Sequence, residues 1–127
     1  MAGELVSTTE AMFDALDSMD VDRMMSSMTE DAQGVDEISR RWLRGKDELR
    51  NYLGGLAQTV SGVHTEIRDP DERTSGDVGI LTCWLEQDYT ISGEAQHISA
   101  PTTIVFRRED GVWKLSVFHS IPLPEQE

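Results

Sequence analysis

Apolar residues recur at helical spacing near the start of the chain and at alternate positions over its second half. Leu5, Met12, Phe13, Leu16 and Met19 fall on one helical stripe, with acidic and small polar residues opposite. The pattern breaks at Asp20 and resumes with Val21, Met24, Met25 and Met28, so two helices are predicted. Asp20 stands where an N-cap carboxylate accepts a backbone N–H of the second. Residues 32–44 lose the helical period and read as a short strand or strand pair ending near Trp42. Gly45 then opens a third helix, in which Leu49, Tyr52, Leu53 and Leu56 repeat at three and four. Asp47 and Glu48 suit the positive end of its dipole. Gly54-Gly55 lies on that helix or just past its end, and a helical glycine costs about 1 kcal/mol relative to alanine. A short or frayed last turn is therefore expected.

From Ser61 onward the period is two. Val63, Thr65 and Ile67 alternate with polar residues, and the polar segment from Asp69 to Asp77, with Pro70, is expected to break this strand from the next. Residues 78–91 form a long strand ending at a Ser92-Gly93 turn. Gln96 to Pro124 then reads as two strands joined at Asp110-Gly111, with Trp113, Leu115 and Val117 as one buried face of the last. Helices followed by a four-stranded antiparallel meander predict an α+β domain, three helices packed on one face of a curved antiparallel sheet. In 78–91 both faces are apolar: Val78, Ile80 and Trp84 on one, Leu81, Cys83 and Leu85 on the other. Antiparallel sheets usually leave one face to water. Three helices cover one face, so the second predicts a sheet-to-sheet homodimer.

A length of 127 residues supports one domain, 1–127, with a core that needs no disulfide or metal. A net charge of −13 argues against nucleic acid, whose non-specific affinity rests on cationic contacts, and against anionic membrane surfaces. Cys83 is the single cysteine and lies in an apolar run, so a buried, unpaired thiol is expected. The N-terminal residues lack a basic start and apolar block, and no run reaches the ~20 apolar residues of a membrane span. A cytoplasmic protein is expected. His64, His97 and His119 are far apart and lack ligand-like spacing, so no metal site is expected. No phosphate-cradling or dinucleotide motif is present, and no cofactor is expected.

Three local patterns then carry a resemblance. Met19-Asp20-Val21-Asp22 leads to Met28-Thr29-Glu30-Asp31-Ala32, Trp42-Leu43-Arg44-Gly45 leads to Leu49, and the terminal hairpin closes with Asp110-Gly111-Val112-Trp113 and Phe118-His119-Ser120. In this order and spacing the chain resembles the SnoaL-like, nuclear-transport-factor-2-like proteins over nearly its whole length. The resemblance implies a cone-shaped α+β fold around a pocket.

It also implies site residues. The ketosteroid isomerases of this fold place their general base five residues past the aspartate of an Asp-Ala pair, which is Asp36 here, after Asp31-Ala32. Their oxyanion donors correspond to positions near Met12 and Thr103, where neither a tyrosine nor an acid stands. The polyketide-cyclase relatives use a carboxylate in an apolar pocket, a role open to Asp36 with Glu37 or His119 as helper. No Asp–Arg–Asp set of the limonene-epoxide-hydrolase kind can be placed. The kinase association domains share the terminal hairpin but place arginines in the pocket, where this chain has Leu85 and Thr103. The expected pocket is lined by Met12, Trp42, Tyr52, Leu85, Thr103 and Phe106. The expected function is binding of a small hydrophobic ligand, with isomerase- or cyclase-type chemistry using Asp36 as general base. The alternative is a non-catalytic dimerisation or ligand-sensing module. An enclosed cavity touching Asp36 would favour the first, a cone filled by methionines the second.

Overall fold

A computed structural model describes residues 3–124 of the chain. Helix α1 (Glu4–Asp17) and the short α2 (Val21–Ser26) precede strand β1 (Met28–Asp36), the two-residue β2 (Leu43–Arg44) and helix α3 (Lys46–Thr59). Four long strands follow: β3 (Val60–Ser75), β4 (Val78–Ile91), β5 (Glu94–Glu109) and β6 (Val112–Ser120). One six-stranded sheet runs in the order β2-β1-β6-β5-β4-β3. The meander β3 to β6 is antiparallel throughout, and β1 joins β6 in parallel, which makes the sheet mixed. The architecture is the α+β cone, with the helices on the concave face of the curved sheet.

Local chemistry accounts for most of the boundaries. The Asp20 carboxylate accepts from the Arg23 N–H at 3.1 Å and caps α2. That helix ends at Ser26, however, and Met28 opens β1 rather than continuing the helical stripe. The hairpin turns at Ser92-Gly93 and Asp110-Gly111 place both central residues at positive φ, the mirror-image turn whose twist matches paired strands.

Two expectations about breaks are corrected. Helix α3 runs through Gly54 and Gly55 to Thr59, because Leu49, Leu53 and the following Val60 bury their side chains on one side of it. Strand β3 likewise continues through Asp69 and Pro70 to Ser75, with only a register shift between Arg68 and Asp71. It is the edge strand, where a proline costs no ladder hydrogen bond.

Helix α1 anchors to the sheet at both ends. Near its start the Leu5 side chain occupies the space above Gly79 of β4, so close that a Cβ there would lie 2.8 Å from a Leu5 methyl. At its end the Asp17 carboxylate accepts from the Thr65 N–H at 3.1 Å and the Thr65 hydroxyl at 2.8 Å. Between them lies the core, built from Met12, Met24 and Met25 of the helices against Leu81, Ile104 and Phe106 of the sheet.

The last strand also departs from simple alternation. Phe106 pairs with Leu115, but Val105 pairs with Val117, so Ser116 is an extra residue in β6. Trp113 and Leu115 are buried as expected. Beyond the bulge the parity flips, and Phe118 and Ser120 take the inner face in place of Val117.

The candidate ligand cavity and its carboxylate–phenol cluster

Between the helices and the concave sheet lies a cavity with about 110 Å³ of room for the centres of water-sized molecules. Its walls are mostly apolar: Met12, Phe13 and Leu16 from α1, Leu49 and Leu53 from α3, and Leu85, Leu115 and Phe118 from the sheet. The polar groups gather where β1 ends. Asp36 and Glu37 are the only charged side chains in the lining, and no lysine, arginine or histidine shares it among the described residues.

A single helical turn places these two acids. The Asp36 carbonyl accepts from the Arg40 N–H at 3.0 Å. The Asp36 side chain caps the turn from within, its Oδ1 accepting from the N–H groups of Ser39 at 2.8 Å and Ile38 at 3.1 Å. In return the Asp36 N–H donates to the Ser39 hydroxyl at 3.1 Å. This reciprocal pair is the capping box of helix starts, with serine in the place of the usual Glu or Gln. Arg40, at φ 53°, then turns the chain away.

Tyr52 reaches the same carboxylate from α3. That helix begins at Gly45, whose φ of 88° and ψ of 155° belong to a region essentially closed to other residues. The Gly45 N–H is fixed to the Ala32 carbonyl at 2.7 Å. From this start α3 buries Leu49 and Leu53 and aims Tyr52 at the end of β1. Its hydroxyl donates to Asp36 at 2.8 and 2.9 Å to the two oxygens. Across the cavity the Tyr89 hydroxyl of β4 donates to Glu37 at 3.4 Å.

Burial sets the proton affinities here. Loss of water raises the Glu37 pKa above the usual carboxylate range, and the neighbouring Asp36 charge adds to the effect. Burial also raises Tyr52 far above a normal phenol, helped by the Asp36 charge, and pushes Tyr89 up to about 12. Both tyrosines are therefore neutral donors at any ordinary pH. Such an array can bind a polar group on an apolar ligand, accept a proton from it and offer the loosely held Tyr89 hydroxyl to developing charge.

The residues expected to form the site separate into two groups. Asp36, Met12, Tyr52 and Leu85 line the cavity together. Phe106 is fully buried in the core and does not reach the lining. Trp42, Thr103 and His119 lie away from the cavity. Phe118 and Ser120 point inward, so His119 between them faces the outer side of the sheet. There it pairs with Thr103 across the strands, and its ring sits 6.0 Å from that of Trp42. As a helper inside the pocket, His119 is ruled out by this parity.

Tyr89 was missed by sequence reasoning. Its only signal was an alternation that puts it on the Leu81, Cys83, Leu85 face of β4. Among the described residues no three His, Cys, Asp or Glu side chains gather closely enough to hold a metal ion. No helix among them is long and apolar enough to cross a membrane.

Comparison with known proteins gives a consistent picture. Residues 5–124 match the SnoaL-like domain. A ketosteroid isomerase-like protein from Erwinia carotovora atroseptica superposes with a TM-score of 0.79 at 20% identity, covering 94% of this chain and 93% of that one. A candidate dehydratase of the nuclear-transport-factor-2-like family from Streptomyces avermitilis gives 0.85 at 17% identity, covering 96% and 95%. A candidate calcium/calmodulin-dependent protein kinase II association domain from Xanthomonas campestris gives 0.85 at 18%, covering 97% and 88%. At these identities the likeness is one of fold. No curated protein matches the chain.

Proposed function

The chain belongs to the SnoaL-like domain family, and we propose that its cone takes up a small, largely apolar ligand and moves a proton on it. The Asp36–Glu37 pair carries the proton, and Asp36 stands at the spacing of the isomerase general base. The observation behind this reading is the cluster itself: two carboxylates and two phenols gathered in a largely apolar cavity. A cavity that reaches Asp36 supports chemistry or ligand capture over a cone packed solid for assembly.

In an isomerase- or cyclase-type step, a carbon-bound proton next to a carbonyl passes to a carboxylate oxygen. The electrons of that bond form the enolate double bond, and negative charge develops on the ligand oxygen. The neutral phenol of Tyr89, held to Glu37 only at 3.4 Å, supplies the hydrogen-bond donor that Met12 and Thr103 do not. The proton then returns to a different atom, and the carboxylate is restored.

A generic carbon acid tests this without knowledge of the natural substrate. With 5-nitrobenzisoxazole as the probe, the wild-type protein should release nitrophenolate faster than an equal concentration of acetate. The double variant Asp36→Asn/Glu37→Gln should lose at least about 100-fold of that rate, the usual scale of acid–base assistance. Equal rates for the wild type and the double variant would refute a role for the pair.

A further inference from the structure

The two carboxylates of the cluster are adjacent in sequence but differ in what already occupies them. A carboxylate offers about four acceptor positions. On Asp36, two backbone N–H groups take Oδ1, and the Tyr52 hydroxyl spans both oxygens at 2.8 and 2.9 Å. Its side chain is thus committed to the turn that it caps and to the helix that it anchors. Glu37 is held much more loosely. Among the described residues its one side-chain partner is the Tyr89 hydroxyl at 3.4 Å, beyond the 2.5–3.0 Å of an ordinary O–H···O bond. It lies on the cavity wall, and the turn fixed by Asp36 and Ser39 directs it there.

We infer that Glu37 is the carboxylate that exchanges the proton with the ligand, and that Asp36 is a positioning residue that holds the turn and Tyr52. This rests on the proton-transfer reading above and divides its two acids by role. The raised proton affinity of Glu37 agrees with that division, since a base tuned upward matches a weak carbon acid better. The titratable groups that share the cavity with it are Asp36 on the same turn, Tyr52 from α3 and Tyr89 from β4. On 5-nitrobenzisoxazole the ring C–H proton passes to a Glu37 oxygen. The C–H electron pair becomes part of the nitrile, the N–O bond breaks, and its electrons leave on the phenolate oxygen. Glu37 then gives the proton to water.

Single variants separate the roles. Glu37→Gln should lower kcat/KM by at least 100-fold and remove the acid limb of the pH–rate profile. Asp36→Asn keeps a good capping side chain, so it should fold, lose about tenfold, and keep the acid limb with its midpoint moved to lower pH, because the Asp36 charge that helps raise Glu37 is gone. Equal losses, or a larger loss in Asp36→Asn with the acid limb gone, would overturn the assignment. If the wild type proves no faster than acetate, the proton-transfer reading fails, and the assignment is decided by carbon-13 NMR with 6-nitrobenzotriazole, an unreactive probe of similar shape. A shift of the Glu37 carboxyl carbon well above that of Asp36 supports Glu37 as the ligand-facing acid. A larger shift at Asp36, or none at either, overturns it.

Discussion

Glu37 has lost much of its water and stands one residue from a second carboxylate, and both conditions disfavour its charge. The consequence for stability has a definite sign. Its folded-state pKa lies above the unfolded value, so folding is penalised once pH rises through that interval and the group must ionise in place. Below the interval the penalty vanishes. Glu37→Gln should therefore gain in melting temperature relative to wild type at pH 7 compared with pH 3.5, and a difference independent of pH would contradict the shift. Trp113 offers a simpler case. It is 7% exposed, and its indole N–H donates to Glu4 at 3.0 Å. Trp113→Ala should cost about 3–5 kcal/mol in chemical denaturation, as large aromatic truncations in cores do; an unchanged midpoint would place the ring in solvent. Asp36 and Trp113 illustrate what could be read in advance. Asp36 was legible from its distance to Asp31-Ala32, and Trp113 from alternation. Tyr89 was not, because it meets Glu37 across 52 residues of sequence and only through the register of β4 in the sheet.

Among the elements, periodicity marked every helix and every long strand, and errors arose where a local rule met a tertiary exception. Gly54-Gly55 lowers helix propensity, yet the burial of Leu53 and Val60 carries α3 past it. Pro70 breaks central strands, but β3 is an edge. The extra residue at Ser116 is invisible to an alternation count, and it moved His119 from the expected pocket to the outer face. The seat of α1 on β4 is a contact of the same tertiary kind. Gly79→Ala would bring a Cβ to 2.8 Å from Leu5 and should destabilise the fold by about 1–3 kcal/mol through overpacking. In a double-mutant cycle Leu5→Ala should relieve part of that cost. Strictly additive effects would mean that the two residues do not press on each other.

Over the whole molecule the two faces of the sheet contrast. The concave face is covered by helices, whereas Ile80 and Val78 on the outer face are 43% and 44% exposed, with Trp42 at 38% beside His119. We propose that a second copy covers this face, as the two-sided apolar pattern of β4 suggests. Light scattering at micromolar concentration should give about twice 14.2 kDa, and Ile80→Asp should return the protein to monomer; a wild-type monomer would refute the pairing. The central claim concerns the other face, that a small apolar ligand enters the cone. Methionine methyl NMR with neutral 2-naphthol as the probe tests it directly, because Met12, Met24 and Met28 line the cavity and Met25 is buried outside it. The methyl signals of Met12, Met24 and Met28 should shift in a saturable way while that of Met25 stays. Shifts confined to the indole signals of Trp42 and Trp84 on the outer face, or no shift at all, would contradict the account.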